Sequence, residues 1–199
     1  MTINVYAPFG MKPVQNGVVR KVEYYLPTTD SDTYAIGSPM ALAVDSNTNT
    51  LVNAKTALPG QYKNAVKATG GAGNLLLGAI VGFDSPPTEI LSASSGYRPA
   101  SQERVAIIAD HPDQLFEIQA SGLVSTDIGK NANITIGAPN ATTKVDGSFL
   151  ALPSAVTANF QVRIMDIKTE IGNTLGAENT QVAIVRINQH AYADGSVGV

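Results

Sequence analysis

Asp110, His111 and Asp113 fall within four residues of the stretch "AIIADHPDQLFEIQASG", and Glu117 follows closely. Carboxylates beside an imidazole are common ligands of divalent metals and common partners in proton transfer. A metal site also needs at least three convergent ligands and gains from a second histidine. The chain's other histidine, His190 in "NQHAY", is far downstream. Both flanks, "RVAIIA" and "QLFEIQ", read as strands, with Phe116 and Ile118 on one face and Glu117 and Gln119 on the other. Pro112 suits the first central position of a β-turn, and aspartates on either side cap local amides. The knot reads as a hairpin turn. No metal is expected.

The other chemical candidates are weaker. In "TGGAGNLLLGAI", Gly71 and Gly73 are followed by Leu76 where a dinucleotide fingerprint places its third glycine. The following segment looks like a strand, so the stretch reads as a loop entering the core. "LSASSGYRPAS" holds four serines but lacks the G-x-S-x-G elbow of a hydrolase nucleophile. Sixteen acids are scattered without a recognisable pair. Tyr6, Tyr24, Tyr25, Tyr34, Tyr62, Tyr97 and Tyr192 offer material for a sugar-binding face, although such residues usually fill half-buried β surface. No catalytic residue, cofactor or enzyme activity is expected.

The bulk properties narrow the partners. With 199 residues the chain can bury a sizeable core, roughly 70% of its unfolded surface. Only 15% of residues are charged, against about 25% in ordinary soluble domains. Net charge is −3, and Arg20-Lys21 is the only adjacent basic pair, which gives no footprint for nucleic acid. Cysteine is absent, so disulfides and thiolate chemistry are excluded. The longest apolar run, "LLLGAIVGF", is too short to span a bilayer as a helix. The first residues show no basic start followed by an apolar block, so no signal peptide or Sec export is expected.

Nothing in the chain sustains helical periodicity, while short β-type runs recur between Gly, Pro, Asn and Asp loops. The runs are 18–26, 39–44, 75–83, 104–109, 114–119, 133–136, 149–152, 160–168 and 180–188. Nine short strands with long loops and little helix predict an all-β sandwich or barrel, formed as a single β domain over 1–199. In "FQVRIMDIK" and "QVAIVRIN" the alternation slips by one residue, as a β-bulge or a sheet switch would produce. The matching slips predict that the two strands pair or bend around one corner together. No repeat of fixed period is visible. Residues 46–74 are the least patterned and read as a long surface excursion. The arm at 1–15 contains Pro8, Gly10 and Pro13, so it is extended, yet it carries Val5, Tyr6, Phe9, Met11 and Val14. These side chains must be covered, either by the arm's own subunit or by a neighbouring subunit or capsid surface.

One resemblance goes further. The order "GFDSP…YRPAS…VAIIADHPDQLFEIQASG", then "TDIGKNANI", "DGSFLALPS", "FQVRIMDI" and "IGNTLGAENTQVAIVRINQHAY", resembles a family of tailed-bacteriophage virion structural proteins encoded near the major capsid protein. The elements "DxPDxLFEIQ", "DIGxNA" and "VRINxHxY" carry it, with "APFGMKPVQ" and "IGSPM" matching more loosely. The resemblance implies a capsid decoration or cement protein on the outside of an icosahedral head, made in the host cytoplasm. Its implied partners are the major capsid protein and further copies of itself, expected as a homotrimer at local three-fold positions. The alternative is a receptor- or carbohydrate-binding β module of the virion. Neither reading carries a catalytic residue, and neither involves nucleic acid or a membrane.

Overall fold

The computed structural model describes residues 7–14, 19–48, 51–52, 55–56, 58–84, 96–156, 159–168, 173, 175–176 and 180–193. The fold is all-β. Its strands are β1 (Lys12–Pro13), β2 (Lys21–Leu26), β3 (Tyr34–Ala35), β4 (Pro39–Ser46), β5 (Leu51–Val52), β6 (Lys55–Thr56), β7 (Lys63–Lys67) and β8 (Gly78–Asp84). There follow β9 (Tyr97–Arg98), β10 (Arg104–Ala109), β11 (Leu115–Ser121), β12 (Asn131–Thr135), β13 (Phe149–Ala155), β14 (Val162–Ile167) and β15 (Thr180–Ile187). Among the described residues a 3-10 turn covers Ser125–Asp127.

Two rings of strands account for most of the chain. The first is a closed barrel in the order β10-β2-β7-β4-β8. The second is a sheet in the order β1-β11-β13-β12-β14-β15, in which β11 also pairs with β15, so five of its strands close on themselves. The expected single domain is therefore built twice, with the same connectivity. β2, β4, β7, β8 and β10 correspond in turn to β11, β12, β13, β14 and β15. In each ring the first strand runs parallel to the third, and every other neighbour is antiparallel.

The correspondence extends to single residues. Ile107 faces Glu23 in the first ring, and Ile184 faces Glu117 in the second. Each sits in the shared string Val-Ala-Ile, at Val105–Ile107 and Val182–Ile184. The register shifts at the same place in both: between Ile107 and Ile108 against β8, and opposite Ile164 and Asp166 on β14. A left-handed glycine precedes the second strand of each ring, Gly37 at φ +88 and Gly129 at φ +86. Both donate a 2.8 Å bond, to the carbonyls of Ile80 and Ile164 respectively. A self-comparison at one period misses this because the loops differ in length. Equivalent residues lie 94 apart at Glu23 and Glu117, 84 apart at Ile80 and Ile164, and 77 apart at Val105 and Val182.

Each ring has its own core, and the cores meet. Tyr24, Leu26, Met40, Leu77, Ile80 and Ile108 fill the first barrel. Phe116, Ile118, Ile134, Leu150, Val162 and Val185 fill the second, joined there by Met11, Leu76 and Ala109 from the first half of the chain. The arm straps this junction. Gly10 donates to the Ser148 carbonyl and Met11 to that of Gly37, while Val14 donates to the Leu115 carbonyl. Lys12–Pro13 then lies along β11 as a short edge strand, where proline's missing N–H does no harm. Gly10 is required here: its φ is +71, and a Cβ would stand 2.2 Å from the Gly37 oxygen.

Three expectations need correction. Residues 46–74 are not wholly a surface excursion, because β7 lies within them and buries Asn64 and Ala65 in the barrel wall. β15 carries no slip: Gln181, Ala183, Val185 and Ile187 alternate inward without a break, leaving Val182 and Ile184 on the half-buried opposite face. The bulge expected in 160–168 exists and β14 does pair with β15, yet Met165 turns outward instead of inward.

Candidate functional site

The sequence knot around His111 comes apart in three dimensions. His111 is exposed at the tip between β10 and β11, its Nδ1 accepting the amide of Asp113 and its carbonyl accepting that of Gln114. Asp113 is exposed and lies 3.6 Å from Arg186. Glu117 sits on a different face, 3.1 Å from Lys168 and 4.0 Å from Lys12. The tip is a turn, as its residue types demanded. Among the described residues no three His, Asp or Glu side chains cluster to hold a metal. The glycine loop at 70–74 is tied down by Gln161, whose Oε1 accepts the Gly71 amide and whose Nε2 donates to Thr69 and Asn74. Ser92, Ser94 and Ser95 lie outside the described residues.

Asp110 behaves differently. It follows the last residue of β10, and its side chain is fully buried. Tyr24 of β2 donates its hydroxyl proton to Asp110 Oδ2 at 2.7 Å, and Arg20 Nε stands 3.0 Å from Oδ1. The Tyr192 hydroxyl is 3.2 Å from that of Tyr24, and Lys63 Nζ is 3.4 Å from the Tyr192 hydroxyl. Tyr24 spends its only proton on the carboxylate, so Tyr192 must donate to Tyr24 and accept from Lys63. The result is one directed chain of donors, from Lys63 through Tyr192 and Tyr24 to Asp110.

This chain walls a cup of about 430 Å³ at the end of the first barrel. Val22, Tyr24 and Tyr192 line it together with Arg20 and Lys63. Glu23 and Gln61 complete the lining. Lys63 Nζ also lies 5.1 Å from the centre of the Tyr192 ring, a cation–π contact. Burial, reinforced by the hydrogen bonds with Tyr192 and Asp110, pushes the Tyr24 hydroxyl far above its ordinary value, so it stays a donor at any physiological pH.

His190, dismissed in the sequence for its distance from Asp110, is folded back beside it. Its Nδ1 accepts the Tyr192 amide at 3.0 Å, which fixes the ring next to the cup and leaves the proton on Nε2. Burial lowers its pKa below the ordinary histidine value, partly offset by the charge of Asp110 and the carbonyls of Leu77 and Asp110. The imidazole is therefore neutral near pH 7. It braces Tyr192.

The seven tyrosines do not make one face. Tyr24 and Tyr192 meet at the cup, Tyr25 donates to Glu103, and Tyr34 donates to Asp30. Tyr62 and Tyr97 are half-buried elsewhere, and Tyr6 lies outside the described residues.

The arm residues also separate. Met11 is fully buried in its own subunit, so it has no surface to offer a capsid or neighbour. Val14 is half-buried beside β11. Phe9 is half-buried and helps to line a second cleft of about 400 Å³ with Ile36, Val145 and Val182. Val5 and Tyr6 lie outside the described residues.

Comparison with family models, curated proteins and solved structures finds no match.

Proposed function

We propose that this chain is a virion structural protein, a decoration or cement protein on the outside of an icosahedral phage head. The observation that carries the reading is the role of the motifs behind the resemblance, most of whose described residues serve architecture, Asp110 and Tyr192 at the cup being the exceptions. "DHPDQLFEIQ" is the turn and strand that begin the second ring, "DIGKNA" is the left-handed turn into β12, and "VRIN" ends the strand that closes that ring. "YRPAS" supplies Arg98, which is fully buried and binds the carbonyls of Pro27, Asp32 and Gln102. A chain whose most distinctive residues build the framework suits a role in which the folded surface is the product. The partners are then the major capsid protein and further copies of this chain in a trimer.

Copy number in purified virions tests this. Densitometry against the major capsid protein should show a comparable number of copies. A handful per particle would overturn the decoration role in favour of a tail or receptor module. That second reading, a carbohydrate-binding β module, is favoured by one observation, the tyrosine-lined cup.

A further inference from the structure

The two rings allow an internal comparison. Register pairs Ala106 with Tyr24 and Ala183 with Ile118, so Tyr24 corresponds to Ile118, and Val22 likewise to Phe116. Asp110 corresponds to Ile187, one residue beyond Ala109 and Arg186. In the second ring these three positions are apolar and packed into the core. The same connectivity thus closes well with Phe, Ile and Ile. The fold itself does not ask for a buried carboxylate, two stacked hydroxyl bonds and an arginine at this end. Burying a charge where an apolar pair suffices costs stability, even when the charge is well paired. In the first ring the cup is one of the places that carry that cost, the buried Arg104 of β10 being another.

The cup's chemistry indicates what it takes. Arg20 and Lys63 are balanced by Asp110 and Glu23, so the site carries no net charge to hold a phosphate or another polyanion. Lys63 uses one N–H on Tyr192 and keeps two for a ligand, and Arg20 keeps its terminal amino groups. Tyr192 and Glu23 offer acceptors, Gln61 both kinds, and Val22 an apolar wall. Paired donors and acceptors around a small apolar patch match the alternating hydroxyls and C–H faces of a pyranose. A volume of about 430 Å³ suits one or two rings.

We infer that the cup formed by Arg20, Tyr24, Lys63 and Tyr192 binds a neutral saccharide of one or two pyranose rings. The ligand class follows the second reading above, but the site is independent of capsid decoration, which copy number tests separately. The source is either a free sugar or the end of a surface polysaccharide.

The experiment is saturation-transfer NMR on the full-length protein. Its probes are the methyl α-glycosides of glucose, mannose and galactose, together with N-acetylglucosamine, maltose, cellobiose and a linear maltohexaose. At least one mono- or disaccharide should bind saturably. Lys63→Met and Tyr192→Phe should each weaken that sugar by about ten-fold or more, as expected when a buried polar contact is removed, with the thermal transition kept. Maltohexaose binding no tighter than maltose marks a cup for a free sugar, and tighter binding marks a polymer end. The inference fails if no probe saturates, if both variants bind like the parent, or if inorganic phosphate displaces the sugar at equal concentration.

Discussion

Replacing Arg98 by methionine should destabilise the protein by about 3–5 kcal/mol. The guanidinium is fully buried and donates to the carbonyls of Pro27, Asp32 and Gln102 at 2.5–2.6 Å. It lies 3.7 Å from the Asp30 carboxylate and 5.3 Å from the centre of the Tyr34 ring. Three bonds from a charged donor give a gross loss of roughly 5–9 kcal/mol. Releasing the guanidinium from its desolvation penalty returns several kcal/mol, and the methionine stem recovers some packing. The net falls in the range of about 3–5 kcal/mol seen when one partner of a buried pair is removed. With a urea m-value of about 2 kcal/mol per molar, the midpoint should drop by roughly 2 M at unchanged slope. Lysine should recover less than half of the loss, because one ammonium cannot span three carbonyls set around a planar fork. A midpoint shift under about 0.5 M for methionine, or full recovery by lysine, would refute this account of the clamp.

Phe116→Ala should cost about 3–5 kcal/mol in chemical denaturation, since the ring is wholly buried in the second core, whereas His111→Ala at the exposed turn should stay within about 0.5 kcal/mol. Gly10→Ala should prevent the arm from docking and lower the melting temperature well beyond Gly129→Ala. A Cβ at 129 meets nothing within 4 Å, so only the strain of a left-handed alanine, about 1 kcal/mol, remains there. The lowered pKa of His190 means that the unfolded chain binds protons more readily. Stability should therefore fall as pH drops below about 6.5, and His190→Asn should flatten that part of the curve in unfolding titrations at stepped pH. A chain beginning at Asn16 loses Met11 from the joint core, and its thermal midpoint should fall clearly; an unchanged midpoint would show the strap to be dispensable.

Alternation and turn residues made the strands legible wherever a strand had one apolar face. The run at 104–109 coincides with β10, and the other eight overlap observed strands. β7 was hidden because "KNAVK" shows one face of lysines and a valine that points outward, while its inward residues are only Asn64 and Ala65. β15 was misphased because its inward positions include Gln181, whose amide binds Leu123 and Gly176 and so passes for a surface residue. The cup was illegible for another reason. Tyr24 and Asp110 lie 86 residues apart and Tyr192 lies 168 from Tyr24, so only ring closure brings them together. An aspartate directly after the apolar run "VAIIA" was the available signal, and it was absorbed into the turn that follows.

The strap across the junction also sets a clock. The Ser148 carbonyl that receives Gly10 is synthesised 138 residues after it. At about 5–20 residues per second, the arm waits roughly 7–30 s before its seat exists. The first barrel can close on the ribosome during that time, but the chain stays unsealed until the second ring has begun to form. Met11 therefore lacks its second-ring neighbours on every unfinished product. Finished molecules hide it, which gives the cell's quality control a simple way to tell the two apart.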